Sequence, residues 1–149
     1  MACILVIDDD APLRTTLRET LEQAGYAVVE ARDTHAALAA LQAHPIDLVI
    51  TDIVMPGQGG YHVVRQVKTL TPQVKILAMS GGNVFPAGDL LESAALIGAD
   101  RILPKPLQGA VFLAAVRELL AGTSLTLSSL YRAGYLRGAF HRHPALGVL

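Results

Sequence analysis

A chain of 149 residues with 52% apolar and 17% charged content is long enough for one domain with a real core and too short for two full ones. Its net charge of -1 gives no overall attraction to nucleic acid, and no apolar stretch approaches the roughly 20 residues that span a bilayer. The one cysteine, Cys3, has no intramolecular partner, which excludes disulfides, and the N-terminus lacks the basic segment of a secretory signal, so the chain reads as cytoplasmic.

The elements alternate along the chain. CILVI (Cys3 to Ile7) reads as a strand, with Cys3 as a small core residue. Asp10 then caps a helix whose first turn holds Pro12 and whose apolar stripe is Leu13, Leu17, Leu21 and Ala24; Gly25 ends it. Tyr26 to Ala31 forms a second strand, and Asp33 caps a short alanine-rich helix to about Ala43. Pro45 precedes a third strand, DLVIT (Asp47 to Thr51). The next helix carries Val63, Val64, Val67 and Leu70 on one face and stops before Pro72. KILAM (Lys75 to Met79) is the fourth strand, followed by a loop from Ser80 to about Pro86 and a helix with Leu90, Leu91, Ala94 and Ile97 that ends at Gly98. RILP (Arg101 to Pro104) is the fifth strand, and a fifth helix runs from about Pro106 to Ala121. Short Ile, Leu and Val runs separated by helices predict an α/β fold with a parallel sheet covered on both faces.

In such a sheet all carboxyl ends lie on one edge, where ligands bind. Asp8, Asp9, Asp52, Ser80 and Lys105 each follow a strand, so three carboxylates, a hydroxyl and an ammonium should converge there. Three carboxylates against one lysine leave a charge of -2, which one Mg²⁺ would neutralise through oxygen ligands. A carboxylate beside Mg²⁺ and a lysine can attack a phosphoryl group and form an acyl phosphate. Asp52, at the end of the central strand and followed by the flexible backbone of IVMPGQGG, is best placed for that attack.

The segments ILVIDDD, DLVITDIVMPGQGG, ILAMSGG and GADRILPKPL resemble the four motif segments of receiver domains in two-component response regulators. The resemblance spans about Met1 to Ala121. It implies a flavodoxin-like, doubly wound five-stranded parallel sheet of order 2-1-3-4-5. It implies that Asp52 is the phosphoacceptor, that Asp8 and Asp9 hold Mg²⁺ together with Asp52, and that the Val54 carbonyl completes the coordination. Ser80 matches the hydroxyl residue that turns toward the phosphoryl group, Lys105 the lysine that pairs with it, and Ile53 and Gly81 the backbone amide donors. The Lys105-Pro106 bond matches one held in cis. The implied donor is a phosphohistidine on a histidine kinase or histidine phosphotransfer protein. The implied output is a phosphorylation-dependent surface of fourth helix, fifth strand and fifth helix that binds a downstream protein.

Two positions depart from the pattern. Ile102 stands where a switching Tyr or Phe is frequent. Val54 and Gly82 stand where polar side chains tune dephosphorylation, which implies a long-lived phosphoryl state. The remaining polar residues have plainer readings: Asp10 as a cap, Asp33, Asp47, Asp89 and Asp100 as caps, strand starts or solvated charges, and His35, His44 and His62 as surface residues. His141 and His143 flank Arg142 without a third ligand, a poor metal site.

Residues 122 to 149 contain Arg132, Arg137 and Arg142 and no acidic residue, so this segment is +3 and the rest of the chain -4. Leu125, Leu127, Leu130, Tyr131, Tyr135, Leu136 and Phe140 make it too apolar for an ordinary disordered tail, and it is too short for an independent DNA-binding output domain. It reads as a docked or dimer-forming extension of a stand-alone receiver that makes no direct DNA contact; an RNA or anionic-membrane contact is the weaker reading. Two alternatives for the whole chain stay open. Asp8-x-Asp10 resembles the nucleophile motif of haloacid-dehalogenase-type phosphatases, with Asp8 as nucleophile and Asp10 as acid, although the chain lacks the cap domain and the later acidic residues of that class. A pseudo-receiver would keep the fold and bind partners without phosphorylation.

Overall fold

A computed structural model describes residues 1–53, 60–81 and 98–122. Five strands, β1 (Cys3–Ile7), β2 (Ala27–Ala31), β3 (Leu48–Asp52), β4 (Lys75–Ser80) and β5 (Arg101–Pro104), form one parallel sheet in the order β2-β1-β3-β4-β5. This is the doubly wound topology expected from the sequence. The described helices are α1 (Ala11–Gln23), α2 (Thr34–Ala43), α3 (Gly60–Leu70) and α4 (Gly109–Leu120). The last is the fifth helix expected from the sequence. The expected fourth, with Leu90, Leu91, Ala94 and Ile97, lies outside the described residues, as do Val54, Gly82 and the tail from 123 onward.

Strand alternation divides the core into two layers. Leu5, Ile7, Val49, Ile76, Ala78 and Ile102 face α2 and α3 through Ala37, Ala40, Val63, Val64 and Val67. Ile4, Val6, Leu48, Ile50, Leu77, Met79 and Leu103 face α1 and α4 through Leu17, Leu21, Phe112, Val116 and Leu119. β3 is central and buried along its whole length, so its last residue, Asp52, is delivered to the middle of the carboxyl edge.

The helix starts follow local chemistry. The Asp10 carboxylate accepts the Leu13 amide at 3.2 Å, and Pro12 occupies a first-turn position where no amide is needed. Gly25, at φ +95°, turns the chain out of α1 while its amide donates to the Glu22 carbonyl at 3.0 Å. Asp33 caps α2 by accepting the Ala36 amide at 2.8 Å.

Several expectations are corrected. The last helix begins at Gly109 rather than near Pro106, because the Lys105 amide donates to the Ser80 carbonyl at 2.7 Å and carries β5's extended path onward. The Lys105-Pro106 bond is cis, as the resemblance implies. Tyr26 precedes β2 and packs against the layer of α1 and α4. Leu70 is 56% exposed although its spacing puts it in line with Val63 and Val67: it is the last residue of α3 and lines a surface cavity with His62, Arg65, Gln66 and Thr69. Cys3, first in its strand, is half-buried rather than part of the inner core, and burial followed by the nearby Asp47 carboxylate raises its thiol pKa. Asp100 is no solvated charge. Its Oδ2 accepts the Ile76 amide at 2.8 Å and the Lys68 ammonium at 2.9 Å, tying α3 to the starts of β4 and β5.

Candidate functional site

The ends of β1, β3, β4 and β5 bring five of the expected residues to one edge. Asp8 and Asp9 follow β1, Asp52 ends β3, Ser80 ends β4 and Lys105 follows β5. Asp8, Asp52 and Ser80 are buried, Lys105 is half-buried and Asp9 is exposed. One carboxylate oxygen from each of Asp8, Asp9 and Asp52 lies within 4.8 Å of the others. The Lys105 ammonium donates to Asp52 Oδ2 at 2.9 Å and stands 3.5 Å from Asp8 Oδ2.

Asp8 is the most constrained member. Its side chain is fully buried, its Oδ1 accepts the Asp10 amide at 2.9 Å, and its Oδ2 has no hydrogen-bond partner among the described residues. Burial raises the carboxyl pKa. The Asp10 amide and Lys105 pull it down, while the charges of Asp52 and Asp9 push it up again. Lys105 feels burial first, which lowers its pKa, but the hydrogen bond to Asp52 and the charges of Asp52 and Asp8 outweigh it, so the net shift is upward and the ammonium stays charged.

An orphaned buried carboxylate oxygen beside two further carboxylates is the donor set a hard divalent cation takes. The acidic pocket therefore fits Mg²⁺, with Asp8, Asp9 and Asp52 as the groups that could hold it. Val54, the fourth expected ligand, lies outside the described residues.

The remaining expected residues are placed as follows. Ile53 lies past β3, and its amide donates to the Met79 carbonyl at 3.0 Å. That amide is committed to the sheet in this structure. Gly81 follows Ser80, and a side chain there would meet nothing within 4 Å among the described residues. Ile102 is buried opposite Ala78, in the layer of α2 and α3. Asp10 is spent on its cap. His62 Nε2 lies 2.8 Å from Gln66 Nε2 on the outer face of α3, and neither His35 nor His44 joins a metal-ligating cluster among the described residues.

The structure adds one contact near the site that the sequence did not signal. Arg14 on α1 donates from Nη1 to the Asp8 carbonyl at 2.7 Å and from Nε to Glu30 at 3.1 Å. The four-residue spacing of Arg14 and Arg18 marks one helix face, but Glu30 enters the picture only through the pairing of β1 with β2.

Comparison with known proteins is consistent with this geometry. Residues 4–117 match the family model of the response regulator receiver domain. The DNA-binding transcriptional regulator NtrC of Rhizobium meliloti is 37% identical over 105 residues, 70% of this chain and 21% of that protein. Vibrio cholerae chemotaxis protein CheY4 has a similar structure at a TM-score of 0.71 and 29% identity, covering 79% of this chain and 98% of that one. Response regulator protein TrrA of Thermotoga maritima, in complex with Mg(2+)-BeF, is similar at a TM-score of 0.68 and 28% identity over 80% of this chain and 99% of that one. The chain spans between 21% and 51% of the length of the first curated relatives that it matches. Among the described residues no helix is long and apolar enough to cross a membrane.

Proposed function

Because this chain belongs to the response regulator receiver domain family, we propose that it is a phospho-accepting signalling domain with Asp52 as the acceptor. The observation that carries this reading is the acidic cluster itself: three carboxylates within 4.8 Å, one with an orphaned buried oxygen, and a lysine 2.9 Å from Asp52. An Asp52 carboxylate oxygen attacks the phosphorus of a phosphohistidine on a histidine kinase or histidine phosphotransfer protein. The P–N bond breaks with its electron pair going to the imidazole nitrogen, and the P–O bond of an acyl phosphate forms. Mg²⁺, when held by Asp8, Asp9 and Asp52 with the Val54 carbonyl, supplies the positive charge that offsets the phosphoryl oxygens.

Lys105 keeps its ammonium against the Asp52 oxygen and takes part of the developing charge. Ser80 and the Gly81 amide meet the transferred phosphoryl group. The Ile53 amide joins them only by leaving the Met79 carbonyl. Ser80 and Ile102 then bias the surface of β5 and α4, where Leu103, Pro104, Pro106, Leu107, Gln108 and Val111 line a shallow cavity of about 240 Å³ suited to a downstream protein. Residues 1–121 form this receiver, which works in the cytoplasm by changing its affinity for a downstream protein.

The phosphatase alternative is not favoured. Its acid, Asp10, is engaged with the Leu13 amide, and the lysine lies closer to Asp52 than to Asp8. Intact-protein mass after incubation with Mg²⁺ and acetyl phosphate decides the point. A single phosphoryl adduct, absent from Asp52→Asn and from an EDTA control, is expected. An adduct retained in Asp52→Asn and lost in Asp8→Asn points to the phosphatase, and no adduct on the wild type points to the pseudo-receiver.

A further inference from the structure

Past the last paired residue of β1, Ile7, the backbone of Asp8 is held from both sides. Its amide donates to the Ala31 carbonyl at 3.1 Å, and its carbonyl accepts Arg14 Nη1 at 2.7 Å. Arg14 is itself clamped: Nε meets Glu30 Oε1 at 3.1 Å, while Arg18 Nη1 meets Glu30 Oε2 at 2.6 Å. Glu30 immediately precedes Ala31 on β2. One acidic side chain on β2 thus orients two arginines on α1, and one of these fixes the peptide that joins Asp8 to Asp9. The direction of that peptide sets where the exposed Asp9 carboxylate lies relative to the buried carboxylates of Asp8 and Asp52.

We propose that Arg14, oriented by Glu30, is a positioning residue for the acidic cluster, and that it raises Mg²⁺ affinity through the Asp8 carbonyl without touching the ion. This rests on the functional reading above. The proposal makes a prediction opposite in sign to simple electrostatics. Arg14 is a cation near a cation site, so by charge alone its removal would tighten Mg²⁺ binding. If the guanidinium fork orders the ligands, its removal weakens binding, as loss of the groups that orient metal ligands does by about 10- to 100-fold. Lysine keeps the charge but cannot reproduce the two-directional fork that reaches Asp8 and Glu30 together.

The test is calorimetric titration of Mg²⁺ into the metal-free full chain, with thermal unfolding in EDTA to show that each variant is folded. Arg14→Ala is expected to weaken binding about 10-fold. Arg14→Lys and Glu30→Gln are expected to weaken it measurably but less than Arg14→Ala, by partial loss of the same orientation. Magnesium should suffer more than calcium in every case, since it demands near-ideal octahedral geometry. Tighter or unchanged Mg²⁺ binding by Arg14→Ala overturns the proposal, as does unchanged binding by Arg14→Lys and Glu30→Gln where the alanine variant fails to fold. No Mg²⁺ binding by the wild type overturns the functional reading and this one with it, whereas wild-type binding with unaffected variants overturns this one alone.

Discussion

Replacing Asp8 with asparagine should stabilise the metal-free protein and remove its response to Mg²⁺. The Asp8 side chain is fully buried, and its Oδ2 has no hydrogen bond among the described residues. At an effective dielectric of about 20, two carboxylate oxygens no more than 4.8 Å apart repel by at least about 3.5 kcal/mol, and an ammonium at 3.5 Å attracts by about 4.7 kcal/mol. The Asp52 and Lys105 terms at Asp8 therefore nearly cancel, and the exposed Asp9 adds only a screened repulsion. What survives is the cost of burying the charge, several kcal/mol even after relaxation. Asparagine keeps the oxygen that accepts the Asp10 amide and turns an NH₂ toward the site in place of the orphaned oxygen. A gain on the order of 2 kcal/mol is expected, which for a domain of this size raises Tm by about 7 °C.

The assay is thermal unfolding of wild type and Asp8→Asn in EDTA and in Mg²⁺. At a concentration ten times its Kd, Mg²⁺ should add about 1.4 kcal/mol to the wild type and little to the variant. The pH dependence has a fixed sign. The folded pKa of Asp8 is raised, so its destabilisation is complete above that pKa, shrinks as pH falls through it, and vanishes below the ordinary carboxylate value. The gap between variant and wild type in EDTA should close as pH is lowered toward the unfolded value of about 3.9. A variant less stable than wild type in EDTA, or an equal Mg²⁺ response in the two proteins, would refute the reasoning.

Other outcomes follow from the same contacts. Lys105→Ala should slow phosphorylation by acetyl phosphate about 100-fold while tightening Mg²⁺ binding, because it removes the cation that meets Asp52; rates measured across Mg²⁺ concentrations separate the two effects. Since the carboxylates hold the Lys105 pKa above its ordinary value, the wild-type rate should show no alkaline loss between about pH 7 and 9. Val54→Asn should shorten the lifetime of the acyl phosphate about 10-fold by orienting a water, less than the 10²- to 10⁴-fold of a positioned general base; decay followed by intact mass reports it. Phe112→Ala, which empties the layer between α4 and the sheet, should cost about 3–5 kcal/mol in urea unfolding and leave the Mg²⁺ affinity of the folded fraction unchanged.

Much of the fold and of the candidate site was legible in the amino-acid sequence because the governing signals are local. Short continuous apolar runs become strands, period-3.6 stripes become helices, and Asp10 and Asp33 cap the helices they precede through amides three residues on. Asp8, Asp52, Ser80 and Lys105 could be picked out because each stands at or just past the end of such a run, and in a parallel sheet all those ends share an edge. Leu70 keeps the spacing of the stripe yet is exposed at the last position of α3, because periodicity assigns a face and not the burial at a helix end.

What the tertiary structure alone decided joins residues far apart in the chain. The 2.9 Å contact of Lys105 with Asp52 spans 53 positions, and Asp100 meets Lys68 across 32. The grip of Arg14 on Glu30 depends on β1 and β2 lying side by side. The Ile53 amide went to Met79, and the last helix started at Gly109, because neighbouring strands claimed backbone groups that local propensity left free. Sequence pattern records which residues can reach an edge or a face; the hydrogen bonds and charges met there depend on strand order and register, which only the folded sheet supplies.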